Sequence, residues 1–357
     1  MKILLMSYAY PPSMGGIELF SSLMRNAFKA RGHEVRVVTH TLSDEHDPSI
    51  LRRPGKQELR EWIEWADLCF VSGVSMNYQI PALRAGKPVV VTHHAWQEND
   101  DGRVTLLQRF KLFICRFGLN ITVNRALAAD LAMPALPIHN PVHTRIELGL
   151  DFAARPRDLI FVGRLVSQKG VPVMIDAIAR LRSRGVTVSA TIVGEGPDRA
   201  ALERQVAGAG LGEAVRFTGR LHLDQIHAQL AQHKMMIVPS VYREPFPMAV
   251  LEGLSAGCVL VASNTGGLPE GVGPCGVTFP MGDRAALSLL IEKLLASPES
   301  AAPYRAAIPP HLETMRQDRV VDRYLEAFAL FYEYRVRLGL GIRKAAAMTV
   351  AELTRSR

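Results

Sequence analysis

Residues 158–184 read DLIFVGRLVSQKGVPVMIDAIARLRSR and contain a strand, a loop and a helix in immediate succession. The apolar run over 158–163 predicts a buried strand, and the stretch over 171–184 has the period of an amphipathic helix. A strand that leads through a short loop into a helix is the building unit of a parallel α/β sheet.

The same succession of strand, loop and helix recurs on both sides of this stretch. The loop at Ser43–Lys56 and the weakly periodic segment Asn140–Arg157 interrupt it, and the second of these is the predicted linker. The sequence therefore predicts an α/β protein with two Rossmann-like parallel-sheet domains. Further strands are predicted at Lys2–Tyr8, Glu34–Thr39, Leu68–Ser72, Val89–Thr92, Ile121–Val123, Val186–Val193, Val215–Thr218, Met235–Pro239 and Val259–Ala262.

A length of 357 residues agrees with two domains. We expect an N-terminal domain over 1–145 and a C-terminal domain over 146–319. A helix over 320–340 is expected to cross back to the N-terminal domain, and a basic tail over 341–357 follows it.

The net charge of +8 is unevenly distributed along the chain. Residues 1–145 carry +4, residues 146–334 carry −1, and residues 335–357 carry +5. Such an excess can serve solubility, anionic lipid headgroups or nucleic acid. No zinc-finger, RRM or KH signature is present, so we expect no nucleic-acid partner.

The four cysteines are far apart in sequence and form no CxxC pair. Neither a disulfide framework nor a zinc site is indicated, which favours a reducing, cytoplasmic location. No apolar run approaches the ~18 residues of a membrane span, and the apolar start is too short for a signal peptide.

Ligands of parallel α/β sheets bind beyond the carboxyl ends of the strands, so the loops after strands are the candidate sites. Gly15 and Gly16 open a predicted helix, where free amides attract phosphate; a tight turn that needs glycine is the alternative. Arg164 and Lys169 can clamp a diphosphate, or be two solvated charges. The loop 194–197 is a weak GxG, most simply a turn that could touch a nucleotide base.

Two glutamates follow the strand that ends at Val238-Pro239-Ser240. Glu244 lies in the loop, and Glu252 lies eight positions later inside an otherwise apolar helix. Their carboxylates can accept hydrogen bonds from the hydroxyls of a sugar and of a ribose. The alternative places Glu252 on a solvated helix face, which its apolar neighbours disfavour.

Two further strand ends carry candidate groups. The loop 264–270 is a second glycine loop that opens a possible helix, and His93-His94 follow the predicted strand at Val89–Thr92. Adjacent side chains of an extended chain point in opposite directions, so this histidine pair is a poor metal site.

Together these motifs resemble the family 4 retaining glycosyltransferases, which have the GT-B architecture of two Rossmann-like domains facing across a cleft. The resemblance runs from Met1 to about Asp283, with the motifs in the order of the family. Its pieces are Gly15-Gly16-Ile17-Glu18, the strand-end histidine, Gly163-Arg164-Leu165 with Lys169-Gly170, Gly194-Glu195-Gly196-Pro197, Val238-Pro239-Ser240 with Glu244-Pro245-Phe246, Glu252, Gly257 and Gly266-Gly267-Leu268-Pro269-Glu270.

The resemblance implies transfer of a sugar from a UDP- or GDP-linked donor with retention of configuration. It implies that Arg164 and Lys169 hold the diphosphate, that Glu244 contacts the donor sugar, and that Glu252 binds the ribose. His94, rather than His93, takes the family's histidine position near the acceptor. The donor contacts implied are Gly15, Gly16, Arg164, Lys169, Glu244, Phe246, Glu252, Gly267 and Leu268, with His94, Arg164, Lys169 and Glu244 as the catalytic set.

The family generally needs neither a cofactor nor a divalent metal, and this sequence has no Asp-X-Asp motif that would hold one. The mechanism usually proposed is front-face displacement, in which the leaving diphosphate accepts the proton of the acceptor. A GT-B sugar-nucleotide epimerase and a non-catalytic partner subunit are the alternatives.

Three positions depart from the family pattern. Pro247 replaces the usual glycine after Glu-Pro-Phe and has no backbone N–H to offer a sugar hydroxyl. His143 ends Asn-Pro-Val-His where the family has Asn-Gly-Val-Asp, and Asn124 replaces a common serine. We expect Pro247 to change the donor-sugar preference and the other two to affect the hinge.

The acceptor is not encoded in a recognisable motif. In the GT-B plan it docks on the N-terminal domain, where Leu106, Phe110, Ile114 and Phe117 form a helical stripe beside Arg109, Lys111 and Arg116. This stripe could face lipid, although stripes at this spacing more often belong to a core. A lipid-linked acceptor with peripheral membrane association and a small-molecule acceptor are both compatible with the sequence.

Overall fold

Two all-parallel sheets organise the protein, whose computed structural model describes residues 1–98 and 103–355. The first sheet contains β1 (Lys2–Ser7), β2 (Glu34–Thr39), β3 (Ile50–Arg52), β4 (Leu68–Ser72), β5 (Val89–His93), β6 (Leu119–Thr122) and β7 (Ala135–Pro137). The second contains β8 (Arg157–Val162), β9 (Ala190–Val193), β10 (Val215–Gly219), β11 (His233–Val238), β12 (Val259–Ser263) and β13 (Gly276–Phe279).

Helices connect the strands. In chain order they are α1 (Gly16–Ala30), α2 (Lys56–Trp65), α3 (Met76–Arg84), α4 (Leu106–Cys115), α5 (Arg125–Asp130), α6 (Val171–Ser183), α7 (Arg199–Gly208), α8 (Leu223–Gln232), α9 (Met248–Ser255), α10 (Leu268–Val272), α11 (Arg284–Ala296), α12 (Ala302–Ala306), α13 (Ile308–Glu313), α14 (Gln317–Tyr332) and α15 (Ile342–Arg355). Within the described ranges, none is long and apolar enough to cross a bilayer.

The strand orders are β3-β2-β1-β4-β5-β6-β7 and β10-β9-β8-β11-β12-β13. Each sheet therefore runs outward in one direction, returns to its first strand and continues on the other side, which is the Rossmann order. The predicted fold class, with two Rossmann-like parallel-sheet domains, is confirmed. One predicted loop is wrong in part, because residues 50–52 of the segment Ser43–Lys56 form the short edge strand β3.

The chain forms two compact units. The first contains Met1–Pro141 and Gln317–Arg357, and the second contains Val142–Arg316. The second unit has its own apolar core, built largely from β8, β9, α6 and α11.

Helix α14 belongs to the first unit because its apolar face is part of that unit's core. The ring of Phe328 lies 5.5 Å from that of Phe28 and 5.2 Å from that of Phe70, and Tyr324 lies 5.7 Å from Phe70. All four side chains are buried.

Most of the basic tail expected over 341–357 forms the helix α15. Ala345, Thr349 and Leu353 recur at the spacing of one helix face and are buried against the first unit. The charged side chains Arg343 and Lys344 point outward, so the basic composition belongs to the exposed face of a packed helix.

Candidate active site

The topological switch point of the second sheet lies between β8 and β11, which pair in parallel through Met235–Leu159 and Met236–Ile160. In open parallel α/β sheets, ligands bind outside the carboxyl ends of the strands at such a switch point. Lys169 follows β8, and Glu244 follows β11. The sheet order therefore brings two distant candidate residues to one point.

Gly170 allows the loop after β8 to approach β11 closely. Its φ of +67° is left-handed, and a Cβ atom there would lie 1.9 Å from the carbonyl oxygen of Pro239. The amide of Val241 donates to the carbonyl of Gln168 at 2.9 Å and ties the two loops together. Only glycine satisfies both constraints, so its place after Lys169 is dictated by packing.

Lys169 and Glu244 form an ion pair with 2.5 Å between Nζ and Oε1. The carboxylate is only 2 % exposed, and the lysine side chain is 24 % exposed. Ser240 Oγ donates to Oε1 at 2.7 Å, and Tyr242 Oη donates to Oε2 at 2.7 Å. The lysine ammonium also lies 3.3 Å from Tyr242 Oη. A buried carboxylate with three donors is well compensated, so this cluster is preorganised.

The loop after β12 supports the backbone of Glu244. A Cβ atom on Gly266, which has φ +57°, would lie 2.2 Å from the carbonyl oxygen of Glu244. The Gly267 amide donates to that same oxygen at 2.7 Å, and the Leu268 amide donates to Thr265. These two amides are therefore already used within the protein. Phe246 is buried and packs toward α10.

Arg164 lies on the loop after β8 and is exposed. Among the described residues, no hydrogen bond or ion pair of its side chain is found. The adjacent loop 194–197 packs on this segment, since a Cβ atom on Gly194 or Gly196 would lie about 2 Å from the carbonyl oxygens of Gly163 or Leu165. The backbone around Arg164 is thus fixed while its guanidinium reaches solvent.

Glu252 does not lie on a solvated helix face. Its side chain on α9 is 12 % exposed, and Oε1 lies 3.2 Å from Nε2 of the buried His143. The sequence predicts an effect of His143 on the hinge; in the structure its side chain also contacts this carboxylate. Its contact joins residues 109 positions apart, which no local pattern predicts.

Gly15 and Gly16 lie at the start of α1 in the first unit. Gly15 is the N-cap with an extended backbone, so its conformation does not require glycine. A Cβ atom there would meet the flexible carboxylate of Glu18 at 2.5 Å. A strained turn therefore does not explain the glycine at position 15.

The two histidines after β5 have different surroundings. His93 is buried, with Nε2 at 2.9 Å from Oδ1 of Asn120. His94 is half-buried, with Nε2 at 3.2 Å from Ser72 Oγ and its ring edge-on to Phe20 at 4.6 Å. Burial, together with a smaller effect of the neighbouring His93, lowers the pKa of His94 to about 3. The His94 imidazole is therefore neutral near pH 7.

Asn124 and Pro247, the other two positions that depart from the family pattern, have structural explanations. Asn124 is the N-cap of α5, and its Oδ1 accepts from the Leu127 amide at 2.6 Å, so its role there is helix capping. Pro247 is the N-cap of α9, a position where a missing amide breaks no helical hydrogen bond. Tyr242 and Ser240 are site residues that sequence reasoning missed, although both flank the Glu244 motif.

Two Rossmann-ordered units, the second with a cation–carboxylate cluster at its switch point, define the GT-B class of glycosyltransferases. Residues 149–308 match the family model described as Glycosyl transferases group 1. This match covers most of the second unit, and the chain is a glycosyltransferase, as its resemblance to such enzymes implied.

Characterised relatives support this assignment. The glycogen synthase of Mycobacterium tuberculosis is 27 % identical over 84 % of this chain and 87 % of that protein. The 2-deoxystreptamine glucosyltransferase of Streptomyces kanamyceticus is 36 % identical over 39 % of this chain and 36 % of its own length. Among solved structures, Anabaena HepE in complex with UDP superimposes with a TM-score of 0.74 at 17 % identity, covering 92 % of this chain and all of that one.

Proposed function

We propose that this enzyme transfers a sugar from a nucleoside diphosphate sugar to a hydroxyl group of a glycan, a glycolipid or a small molecule. The observation that carries the proposal is the cluster of Lys169 and Glu244 at the switch point, with the exposed Arg164 on the same loop. Two cations in this position suit a diphosphate, whose charge increases as the glycosidic bond breaks.

Lys169 can hold the leaving group without losing its carboxylate partner. A lysine ammonium has three N–H donors, of which Glu244 and Tyr242 take two. The third is available to a phosphate oxygen, and Arg164 can add two parallel hydrogen bonds. In the proposed retaining reaction, the bond from the anomeric carbon to the diphosphate breaks and the bond to the acceptor oxygen forms on the same face. The acceptor proton passes to the leaving diphosphate.

Glu244 and Glu252 receive different roles in the proposal. The second oxygen of Glu252 is left for a ribose hydroxyl, since Oε1 faces His143. Glu244 orients Lys169 and keeps acceptor capacity on Oε2 for a hydroxyl of the donor sugar. His94, neutral at pH 7, contributes a hydrogen bond to a sugar hydroxyl rather than a proton.

Kinetics of two isosteric variants test these roles. Glu252→Gln should raise the donor KM with a smaller effect on kcat, because the ribose changes little during the reaction. Glu244→Gln should lower kcat more than it raises KM, because Lys169 and the sugar contacts act on developing charge. Each effect should be roughly tenfold to a hundredfold. A Glu252→Gln enzyme with wild-type donor affinity would remove the ribose assignment.

The donor is proposed to be UDP-linked, with GDP as the second choice. HepE has been solved with UDP and glucose and with UDP-glucose, which supports a uridine nucleotide here. A thermal-shift series with UDP-, GDP-, ADP- and TDP-sugars tests this choice, because a ligand that binds only the native state raises the melting temperature. We expect the largest shift with a UDP-sugar.

Metal independence is part of the proposal. It is supported by the absence of Asp-X-Asp from the sequence and by the two cations that can balance the diphosphate. Turnover should survive excess EDTA. Loss of turnover that Mg²⁺ or Mn²⁺ restores would show that the diphosphate is held differently.

We also propose that the enzyme works in the cytoplasm, at the inner face of the membrane. All four cysteines are free and buried, as in a protein from a reducing compartment. Burial raises the pKa of each of the four thiols, which keeps them protonated and unreactive.

A further inference from the structure

Helix α4 of the first unit presents large apolar side chains to solvent. Leu106 is 83 % exposed, and Leu107, Phe110 and Phe113 are each about half exposed. Of its ten residues only Cys115 is buried. The predicted alternative, that this stripe belongs to a core, is therefore wrong for Leu106 and Phe110.

The aromatic rings at and just after the end of α4 contact one another. Phe110 and Phe113 stack with 6.4 Å between ring centroids, and Phe113 meets Phe117 edge-on at 5.4 Å. Adjacent exposed apolar side chains of this size mark an interaction site more often than isolated ones do. We call Leu106, Leu107, Phe110, Phe113 and Phe117 the α4 apolar face.

Cations flank this face on both sides. At about 100° per residue, Arg109 and Arg116 lie on one side of it and Lys111 lies on the other. Arg343 of α15 lies over the Phe117 ring at 4.9 Å. The segment 103–118 contains four Lys and Arg residues and no Asp or Glu; Asp100 and Asp101 lie outside the described residues.

We propose that the α4 apolar face docks on an anionic lipid bilayer, which deepens the proposed function by naming the surface at which the acceptor is met. An apolar stripe bordered by cations matches a bilayer interface, where the rings enter the acyl boundary and the cations stay at the headgroups. A protein partner or a second copy would need acidic groups opposite these cations, and a bilayer rich in anionic lipid supplies such charge continuously.

Vesicle co-sedimentation tests this proposal with the full chain. Wild-type protein should bind vesicles of phosphatidylglycerol and phosphatidylcholine, bind pure phosphatidylcholine vesicles much less, and dissociate partly in high salt. Phe110→Gln and Phe113→Gln should each weaken binding about tenfold, and Arg109→Glu with Lys111→Glu should weaken it at least as much. Leu289→Gln on α11, which removes an equally exposed apolar side chain from the second unit, is the matched control.

Calorimetric titration with UDP in the same variants separates the two proposals. If vesicle binding is unchanged in the α4 variants and UDP binding is intact, the proposal that the α4 apolar face docks on a bilayer is wrong, and the proposed function stands. Failure of the wild type to bind any nucleoside diphosphate overturns the proposed function instead. If sedimentation velocity without vesicles shows a dimer that the α4 substitutions abolish, and vesicles are not bound, the face is a contact between copies and the proposal is wrong.

A second, independent observation concerns His143. The segment that carries it is fixed, since the Val142 amide donates to Met315 at 2.8 Å and the Glu147 amide donates to Ser255 at 2.7 Å. The imidazole is buried, and its Nδ1 has no hydrogen-bond partner among the described residues. Because a carboxylate oxygen only accepts hydrogen bonds, Nε2 is the donor in this contact.

We infer that His143 is a positioning residue for donor binding. By donating to Oε1 it fixes the plane of the Glu252 carboxylate and leaves Oε2 for the ribose, a role that rests on the proposed function. An aspartate at position 143 would repel Glu252 instead, so the departure from the family pattern changes how this carboxylate is held.

A double-mutant cycle tests this inference. His143→Ala should weaken UDP and uridine binding about tenfold and leave pyrophosphate binding unchanged, while His143→Gln, which keeps an N–H donor, should restore part of the loss. In a Glu252→Gln background His143→Ala should have little further effect. Equal losses of uridine and pyrophosphate, or additive effects in the cycle, would overturn it. Absence of UDP binding in the wild type would count against the proposed function instead.

Discussion

Removal of the Lys169 ammonium should have separable effects on stability and on catalysis. In Lys169→Met the Glu244 carboxylate stays 2 % exposed and keeps only the hydroxyls of Ser240 and Tyr242. Breaking a fully buried pair costs about 3–5 kcal/mol. Lys169 is 24 % exposed and two donors remain, so the cost should be about 2–3 kcal/mol here.

This loss can be measured as a melting temperature. For units of this size, 1 kcal/mol corresponds to about 2–4 °C, so Lys169→Met should lower the melting temperature by about 4–12 °C. The double variant Lys169→Met with Glu244→Gln removes both charges and should recover most of that loss. Turnover should be at least about a hundredfold below that of the wild type in the single and the double variant, because both lack the cation that faces the diphosphate.

Lys234 provides the matched control. It pairs with Asp158 at 2.8 Å in the same unit, and its side chain is 21 % exposed. Lys234→Met should reduce stability and leave the turnover of the folded enzyme normal. A double variant at Lys169 and Glu244 that regains full turnover would refute the reasoning, since Lys169 would then act only by neutralising Glu244.

Three further results are expected. Arg164→Ala should lower turnover about a hundredfold with no change in melting temperature, because the side chain is exposed; calorimetry showing unchanged UDP affinity would contradict this. Burial lowers the pKa of His93 and His233 to about 4, so stability is complete above pH 6.5 and should fall toward pH 4, by about 1.4 kcal/mol per pH unit for each histidine. His233→Gln should reduce the pH dependence of the free energy of unfolding, measured by denaturant titrations at several pH values. An unchanged pH dependence would contradict this assignment to His233. Truncation after Gly339 removes α15 and should destabilise the first unit, which a wild-type melting temperature would disprove.

Much of the fold was predictable because strand and helix periods are local. The apolar runs that become β8 and β11, and the amphipathic stretch that becomes α6, are visible in any short window. Parallel sheets place post-strand loops at one edge, so the alternation predicts that Lys169 and Glu244 lie at the same edge. That they meet there depends on the pairing of β8 with β11. The burial of Glu244 could not be predicted, because it depends on how Tyr242 and Ser240 pack against its carboxylate.

The features that sequence reasoning missed depend on long-range packing. His143 meets Glu252 only after the chain has returned through four further strands, and nothing around either residue indicates this contact. Helix α15 has a basic composition that suggests a solvated tail, yet its small residues Ala345 and Thr349 allow it to pack. Conversely, the stripe of α4 has the spacing of a core helix, and only the structure shows that it is uncovered.

Calorimetric titration with UDP, compared with uridine, in excess EDTA tests the central claim most directly. If Arg164 and Lys169 form a diphosphate clamp, UDP should bind at least about a hundredfold more tightly than uridine, since charge-assisted hydrogen bonds to the diphosphate contribute about 1.5–3 kcal/mol each. In Lys169→Met this advantage should fall at least about tenfold, because one of the two cations is gone. Equal affinities for UDP and uridine, with GDP, ADP and TDP also no better than their nucleosides, would contradict the account.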